Sequence, residues 1–598
     1  MEASLAKSRT WSLGLHGCTL VVALIGLACL GGARRSMSGT FDESNHLAAG
    51  LEWWQFGTYT MWTENPPLPR LAIAALPYLH GVRLPAREQW EPKTHEWDRS
   101  WEVGSDLLYA GAGFEQNLAW ARWGTLPFFL IVLASAWGLA QGRRRPFAGL
   151  VAVALTSTLP AFIAHGALAT TDMAFAGTFL LATLALSRWF ERPSTPRALA
   201  LGVSLGLALL SKFSLLVFFP ITLLAFLAAR RIARLPARPV TCEAGKEAPL
   251  GWSSCARQVA LVLFAMALVT WAGYRFSVGR IDSLAPEVKD WLQILPPVAN
   301  RVGLSGFLLR TTLPMPELWH GLRFLAAHDA VGHDAYLLGK NSEHGFLAFY
   351  PIALLVKTPL PFLALLVLCA PLLARRRPEL WPAQAVALAA LGILLVSLRS
   401  HVNLGIRHIF VILPLLAVAV ARTAGDGLTV WRGRQRVAAV VLVAALLCVQ
   451  TGIAIGARSK ELGYFNALAG ADPAEILLDS DLDWGQDLFE LRREARARNI
   501  DVLKIAYFGT LRLCQHGLPR LEALVPGRET TGWIAISENF YRHRNFFTLP
   551  KDPCNPKSTY ADKEIPAQPF AWLRKHNPLA IVGSSIRLYH LSASSPSP

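Results

Sequence analysis

The sequence predicts an α-helical polytopic membrane protein with about 11 transmembrane helices and a C-terminal α/β domain. Of the 598 residues, 53% are hydrophobic and only 17% are charged, and the mean hydropathy is positive. Long apolar segments with arginine-rich connections predict the helical part. Short β-like runs beside a charged helical segment predict the C-terminal part. This composition excludes an ordinary soluble globular protein.

The apolar segments predict where the membrane helices lie. They fall near residues 11–31, 123–140, 147–164, 173–190, 198–211, 213–229, 259–274, 358–374, 381–398, 409–421 and 437–456. The first follows Lys7 and Arg9, but its apolar run is too long for a signal peptide, so we interpret it as a retained span. Residues 198–229 are either one over-long helix or two helices that meet at Lys212.

The basic residues decide between these alternatives. With two helices and an inside N-terminus, the arginine clusters in 375–377 and 432–436 fall on the inner side, as the positive-inside rule requires. With one helix, both clusters would lie outside. We therefore predict two helices with Lys212 at their outer ends, and an outside C-terminus. The net charge of +17 then reflects the inner connections and not nucleic-acid binding.

Three outer regions are too long to be simple connections. Residues 32–122 form a first outer loop, residues 275–357 a second, and residues 457–598 a tail. The tail contains the β-like runs VLKIAYFG, WIAIS and IVGSSIRLYHL and a charged helix near 486–498. We predict a transmembrane catalytic domain over residues 1–456 and a soluble extracytoplasmic domain beyond it.

The first outer loop begins with FDESNHLAAGLEWWQFGTYTMWTENPPL, residues 41–68. Leu47, Leu51 and Trp54 recur at helical spacing, which predicts a helix in the membrane interface with tryptophan at headgroup depth. The turn NPP ends the regular structure, because proline removes a backbone donor and restricts the residue before it. This pattern predicts that acidic residues from both ends of the stretch come together. The alternative is a capped helix with solvated acids.

Ionisable and polar residues gather on the predicted outer face. They are Asp42, Glu43, His46, Glu64, Asn65, Arg122, His165, Asp172, Lys212, Lys357, His401, Asn403 and Arg407. Each basic residue alone is better explained as a snorkelling charge. Their convergence on one face favours an outward cavity, in which carboxylates and cations receive an anionic substrate from the membrane.

The second outer loop carries potential metal ligands. They are His328, His333, Asp334, Glu343 and His344. Their spacing matches no known cage, and a solvated loop is the favoured interpretation. A divalent ion held by Glu64 with His165 or with a loop histidine is a further alternative.

The tail carries the acidic motif LLDSDLDWGQDL, residues 477–488. Asp479, Asp481 and Asp483 with Trp484 could contact a sugar or an acceptor. The motif lacks the glycine and terminal glutamate of a calcium-binding EF-hand loop. We predict instead that it caps the helix that follows, where the helix dipole favours acidic residues.

Cysteine use differs between the two predicted domains. Cys514 and Cys554 are the only cysteines of the tail. An oxidising compartment would favour a disulfide between them. The cysteines within apolar spans are predicted to be small core residues.

Four motifs resemble a known family. FDE follows the first span, and ENPPLPRLA, HGALATTDMA and GIRHIFVILPLL come after it in this order. Over residues 10–450 this order resembles the polyprenyl-phosphate-dependent glycosyltransferases of the GT-C class, which include the protein O-mannosyltransferases and the lipid A aminoarabinose transferases. The tail motifs YFNALAG and LLDSDLDWGQDL are similar to a bacterial branch of glycosyltransferase family 39. The resemblance implies a lipid-phosphate sugar donor and an active site on the non-cytoplasmic face.

The resemblance also implies roles for the acidic residues. Asp42 matches the family's catalytic aspartate, and Glu43 matches its neighbour. Glu64 matches the acidic residue before the Pro-Pro turn, and Asp172 matches the second acidic motif. Asn65 stands where aminoarabinose transferases carry lysine and O-mannosyltransferases often carry histidine, so neither specific substrate follows.

The chemistry of such a donor suits these residue types. A sugar on a phosphate already has a good leaving group, so the reaction needs a base for the acceptor and cations for the departing phosphate. We predict Asp42 as the base. We expect Arg122, Lys357 and Arg407 to hold the phosphate, with Lys212 behind them. A single displacement at the anomeric carbon predicts inversion.

The expected protein is a glycosyltransferase of the bacterial plasma membrane that acts on a lipid, glycan or protein acceptor and binds no nucleic acid. The alternative is a transporter or flippase of an anionic lipid-linked substrate, which predicts mid-membrane charges and repeated halves. A third alternative, a membrane sensor whose tail binds a ligand, would leave Asp42 and Glu64 without a task.

Overall fold

The computed structural model describes residues 2–87, 99–235, 240–243, 246–249, 251–280, 311–375, 377–542, 549–561 and 564–592. The α-helices are Glu2–Ser36, Glu43–Phe56, Pro67–Leu79, Arg99–Leu108, Phe114–Trp123, Leu126–Leu139, Pro146–Ser157, Pro160–Ala167, Asp172–Glu191, Thr195–Leu209, Leu215–Ile232, Trp252–Gly273, Pro316–Val331, Phe349–Lys357, Leu360–Leu373, Trp381–Ser397, Ile412–Val430, Gly433–Gly456, Leu488–Ala497 and Glu538–Arg542. Short 3-10 helices include Ile406–Ile409 and Asp479–Asp481.

Seven of the described helices are long and apolar enough to cross a membrane, or up to nine if each of two bent pairs is one span. The seven are Trp11–Ser36, Phe114–Leu139, Asp172–Glu191, Leu215–Ile232, Trp252–Gly273, Pro378–Ser397 and Gly433–Gly456. The bent pairs are Pro146–Ser157 with Pro160–Ala167, bent by 62°, and Phe349–Lys357 with Leu360–Leu373, bent by 109°. The predicted polytopic helical fold is confirmed.

Two predicted spans correspond to described helices that are not among these nine, which accounts for the lower number of spans. Thr195–Leu209 has only 15 residues. Ile412–Val430 carries Arg422 and Asp426 in its second half. The prediction of two helices meeting at Lys212 is confirmed, because the helix Thr195–Leu209 ends before this residue and the next helix begins at Leu215.

The predicted helix of the first outer loop forms over Glu43–Phe56. Leu47 and Leu51 are buried inside the protein, whereas Trp54 is partly exposed. The helix packs against Pro67–Leu79 at Gly50, where an added Cβ would lie 2.1 Å from the carbonyl oxygen of Arg70. Other parts of the protein therefore cover Leu47 and Leu51, whereas the position of Trp54 at headgroup depth stays a prediction.

A five-stranded sheet forms the core of the tail. Its order is Ala580–Val582, Ile586–Leu591, Gly532–Ser537, Val502–Ala506 and Arg520–Ala523. Val502–Ala506 runs parallel to both of its neighbours, and the other pairs are antiparallel. The remaining strands form two-stranded pairs: Val240–Glu243 with Lys246–Pro249, Val278–Gly279 with Leu313–Pro314, Ala335–Leu337 with Lys340–Ser342, and Pro550–Asp552 with Asn555–Thr559.

The tail is joined to the helical part by a continuous apolar core, which includes Leu30 of the first helix and Trp484 and Leu488 of the tail. The predicted disulfide between Cys514 and Cys554 is present. It links two tail segments that are separated by 40 positions. The tail therefore covers one end of the helical part and reaches the residues described next.

Candidate active site

Asp42 lies directly before the helix Glu43–Phe56, at its N-cap position, but its side chain makes no capping hydrogen bond. Its carboxylate instead accepts a hydrogen bond from Arg407, with 2.9 Å between Nη1 and Oδ2. About an eighth of each side chain is accessible, at 13% for Asp42 and 12% for Arg407. The pair is therefore shielded but still open to a ligand.

A second carboxylate continues this arrangement. Asp172 begins a membrane helix, and its Oδ2 lies 4.0 Å from Nη1 of Arg407. Its Oδ1 accepts a hydrogen bond of 2.8 Å from Nζ of Lys212. Lys212 reaches this position from the break between two helices, and 18% of its side chain is exposed. Two carboxylates and two cations thus alternate in one partly open cluster, which we call the Asp42–Lys212 cluster.

Glu43 and Arg122 form a separate, closed ion pair. Their side chains are each 1% exposed and make two hydrogen bonds of 2.8 Å. The other N–H groups of Arg122 donate to the carbonyl oxygens of Arg34, Met37 and Ser38. Since five acceptors satisfy the five N–H groups of a guanidinium, Arg122 has no donor left for a phosphate. The geometry favours a structural role for this pair.

Glu64 lies near the other end of the stretch 41–68 that begins the first outer loop. Its Oε2 is buried without a hydrogen-bond partner among the described residues, and it lies 4.0 Å from Nδ1 of His328. Burial raises the pKa of Glu64, and the charge of Asp42 adds to this effect. Asn65 contributes its backbone, since its carbonyl oxygen accepts a hydrogen bond of 2.5 Å from the Tyr59 hydroxyl.

His46 is buried and accepts a hydrogen bond of 3.1 Å at Nδ1 from Nε of Arg70. Burial and the positive charge of Arg70 hold the pKa of His46 well below its ordinary value, so the imidazole is neutral. Arg70 is completely buried and also donates to the carbonyl oxygens of Met61 and Trp62. Sequence reasoning missed Arg70, although it lies within the ENPPLPRLA motif.

The remaining predicted residues divide into near and distant ones. His165 is buried with its ring centroid 6.2 Å from that of Trp484. Lys357 is buried and donates to the carbonyl oxygens of Leu462 and Asp481, at 2.7 and 2.5 Å. It therefore fastens the tail to the helical part. His401 is exposed, and its Nδ1 lies 3.0 Å from the carbonyl oxygen of Asp329.

The tail motif packs against the site and does not cap the helix Leu488–Ala497, so that prediction is wrong. Asp487 occupies the N-cap position without a capping bond from its side chain. Its carboxylate instead accepts hydrogen bonds from Ser584 and Ser585. The carboxylate of Asp483 accepts a hydrogen bond of 2.9 Å from the backbone N–H of Asn539. Tertiary contacts with the sheet have taken these acids away from the helix end.

Asp481 and Trp484 of this motif contact the element that carries Arg407. The Asp481 carboxylate accepts hydrogen bonds of 3.1 and 3.3 Å from the backbone N–H of Ile406. The guanidinium carbon of Arg407 lies 4.3 Å from the ring centroid of Trp484. Burial raises the pKa of Asp481 to about 6, although the Lys357 ammonium opposes this shift.

Metal-binding clusters of three or more His, Cys, Asp or Glu side chains are not found within the described ranges. His328 and His333 lie with ring centroids 5.7 Å apart, and Glu64 is near only the first of them. The chemistry that the described geometry supports is anion binding beside a carboxylate base.

Residues 114–241 match the family described as dolichyl-phosphate-mannose-protein mannosyltransferase. This segment contains Arg122, His165, Asp172 and Lys212. Over this segment, the match confirms the resemblance to the polyprenyl-phosphate-dependent GT-C glycosyltransferases. A search of curated proteins finds no match.

Comparison with solved structures gives matches at low sequence identity. One is the oligosaccharyltransferase AglB from Archaeoglobus fulgidus, in complex with an inhibitory peptide and a dolichol-phosphate, at 14% identity and a TM-score of 0.40. The match covers 75% of this chain and 56% of that one, so the chain spans little more than half of that protein's length. Another is ArnT from Cupriavidus metallidurans bound to undecaprenyl phosphate, at 12% identity and a TM-score of 0.28, covering 96% and 98% of the two chains.

Proposed function

We propose that this protein is a membrane glycosyltransferase that moves a sugar from a polyprenyl-phosphate donor to an acceptor hydroxyl or phosphate. The observation that carries this proposal is the Asp42–Lys212 cluster. It combines a carboxylate that is not used as a helix cap with a guanidinium that has one short contact to it. Base and phosphate clamp are thus adjacent, as transfer from a phosphate leaving group requires.

Asp42 is the proposed general base. In the free protein its Oδ2 is paired with Arg407. A donor phosphate would compete for the same guanidinium, because Arg presents a planar set of donors that matches phosphate oxygens. The competition would release the Asp42 carboxylate to accept the acceptor's proton. Base activation and donor binding are then coupled through one arginine.

Asp172 and Lys212 are proposed to set the electrostatics of the cluster. Asp172 is buried, and its Oδ1 lies 2.8 Å from Nζ of Lys212. Its carboxylate therefore holds the Lys212 ammonium near the Arg407 guanidinium. The two cations would balance the charge of the departing phosphate as the sugar–oxygen bond breaks. Attack by the acceptor from the opposite face in one step gives inversion at the anomeric carbon.

Topology completes the proposal. We infer that the N-terminus is inside, that the cluster and the tail are on the extracytoplasmic face, and that the membrane is the bacterial inner membrane. The distribution of arginine between connections supports this orientation. A reporter that is active only in the cytoplasm should be silent when fused to the C-terminus, and an active reporter would contradict the orientation.

The decisive test of the activity uses purified protein and a polyprenyl-phosphate-linked sugar labelled in both parts. We expect release of free polyprenyl phosphate that depends on protein and acceptor, with the sugar label recovered in the product. Proton NMR of the product should show the anomeric configuration opposite to that of the donor. Movement of the intact lipid-linked sugar across vesicles without cleavage would favour a transporter and contradict the proposal.

A further inference from the structure

The segment Leu478–Asp487 of the tail, which we call the aspartate segment, lies between the two elements that carry Asp42 and Arg407. On one side it pairs with the chain that leads into Asp42. The backbone N–H of Phe41 donates to the carbonyl oxygen of Trp484 at 3.1 Å, and that of Ser38 donates to Gln486 at 2.9 Å. The residue before Asp42 is therefore anchored by the tail.

On its other side, the aspartate segment holds the 3-10 helix Ile406–Ile409. The Asp481 carboxylate accepts a hydrogen bond from the backbone N–H of Ile406, the first residue of this helix. The Ser480 hydroxyl donates to the carbonyl oxygen of Leu404. A short 3-10 helix has few hydrogen bonds of its own, so external partners at its start determine its position.

Trp484 contacts Arg407 directly. Its ring is buried at 2% exposure, and its centroid lies 4.3 Å from the guanidinium carbon. Arg407 is thus placed between an aromatic face and the carboxylates of Asp42 and Asp172. Stacking of this kind restrains a long side chain while leaving other N–H groups available to a ligand.

We propose that Trp484 is a positioning residue, through which the C-terminal tail holds Arg407 ready for the donor phosphate. The inference rests on the proposed function. It gives the tail a role in donor binding. Without the contact to Trp484, the Arg407 side chain would lose more conformational entropy when the phosphate binds. Asp481 holds the 3-10 helix that carries Arg407, because its carboxylate accepts the hydrogen bonds from the backbone N–H of Ile406.

The test compares the variants Trp484→Leu and Trp484→Phe with the matched control Trp572→Leu. Trp572 is also a largely buried tail tryptophan, but it belongs to the separate apolar cluster behind the sheet. We expect Trp484→Leu to weaken donor affinity about tenfold, on the scale of a shielded cation–π contact. The turnover number at saturating donor should change much less. Trp484→Phe should recover most of the affinity, and Trp572→Leu should leave it unchanged.

Polyprenyl-phosphate binding and thermal unfolding are measured for each variant in the same lipid nanodiscs. If Trp484→Leu does not fold, the inference is tested with Trp484→Phe alone, for which we expect donor affinity to fall about threefold. Unchanged affinity in a folded Trp484 variant, or an equal loss in Trp572→Leu, would overturn the inference. A wild-type protein that releases no polyprenyl phosphate would instead contradict the proposed function, so the two failures are distinct.

Discussion

Asp42 and Glu43 are neighbours in the chain, and each pairs with an arginine, yet the two pairs differ in almost every physical respect. The Glu43–Arg122 pair is sealed, with each side chain 1% exposed and all five guanidinium donors used. The Asp42–Arg407 pair has one short contact and is more than ten times as accessible. Two adjacent carboxylates are thus suited to different tasks, one to fold stability and one to chemistry.

Burial explains the contrast. A buried ion pair is stable only when further hydrogen bonds satisfy its remaining atoms. Glu43 meets this condition through Arg122 and the backbone N–H groups of Thr40 and Ala169. Asp42 lies at the edge of the same loop, and its partner Arg407 comes from a segment 365 positions later in the chain. In a site where a substrate displaces an internal partner, some hydrogen-bonding atoms must be without a full set of partners before the substrate binds.

The largest expected effect belongs to Asp42→Asn. The amide keeps the shape of the side chain but removes the basic oxygen, so the transfer rate should fall by about 10²–10⁴ while donor binding is largely kept. The measurement is single-turnover transfer in nanodiscs. Asp501→Asn, an exposed aspartate of the tail, is the matched control and should retain activity. Near-normal transfer by Asp42→Asn would remove Asp42 from the mechanism.

Arg122→Ala should act on folding rather than on chemistry. Removing one partner of a sealed pair leaves Glu43 as an uncompensated buried charge, at a cost of about 3–5 kcal/mol. We expect lower yield and a lower unfolding temperature in detergent. Arg493→Ala, which breaks a surface pair with Glu490, is the control and should cost about 0.5 kcal/mol. A folded Arg122→Ala protein with selectively lost donor affinity would instead make Arg122 a phosphate ligand.

Arg407→Ala should act on donor affinity. One charge-assisted hydrogen bond is worth about 1.5–3 kcal/mol, so the dissociation constant for polyprenyl phosphate should rise by roughly 10- to 100-fold. Arg407→Lys should recover only part of this loss, since an ammonium lacks the planar set of donors. Equilibrium binding is the measurement. Equal affinity in the wild type and Arg407→Ala would place the phosphate elsewhere.

The smallest expected effect concerns Glu461, a buried carboxylate whose two oxygens have no hydrogen-bond partner among the described residues. Burial raises its pKa to about 7. Its contribution to stability is therefore fully present below pH about 4.5 and is lost as the pH rises through about 7.

Glu461→Gln should remove this pH-dependent loss of stability, because the amide side chain does not ionise. At pH 8 the variant should be more stable than the wild type by on the order of 1 kcal/mol, whereas at pH 4 the two should agree. Thermal unfolding between pH 4 and 8 measures the difference. Glu490→Gln, at the surface, serves as the control. A wild type whose unfolding temperature rises from pH 5 to 8 relative to Glu461→Gln would contradict the assignment.

The sequence predicted the helical fold, the break at Lys212 and the tail disulfide because each depends on local pattern or composition. It also predicted that Asp42 and Arg407 belong to one site. It could not predict that they touch, since they are 365 positions apart. Arg122 was expected at the phosphate, but its partners include backbone carbonyl oxygens, which no residue pattern reveals.

The contacts of the tail motif could not be predicted from the sequence either. Asp483 and Asp487 are of a residue type that caps helices, yet their hydrogen-bond partners, Asn539 and Ser584, come much later in the chain. The sequence indicated Trp484 as a potential contact for a sugar or an acceptor, but not as a neighbour of Arg407. Only the folded chain places its ring on Arg407. Long-range packing decided these assignments over local preference.

The most direct test of the central claim is a structure of the protein in a lipid nanodisc with bound polyprenyl phosphate. We expect phosphate oxygens within hydrogen-bond distance of Arg407, the Asp42–Arg407 contact opened, and the Glu43–Arg122 pair unchanged. A phosphate bound away from Arg407, with the Asp42–Arg407 contact of 2.9 Å intact, would contradict the account.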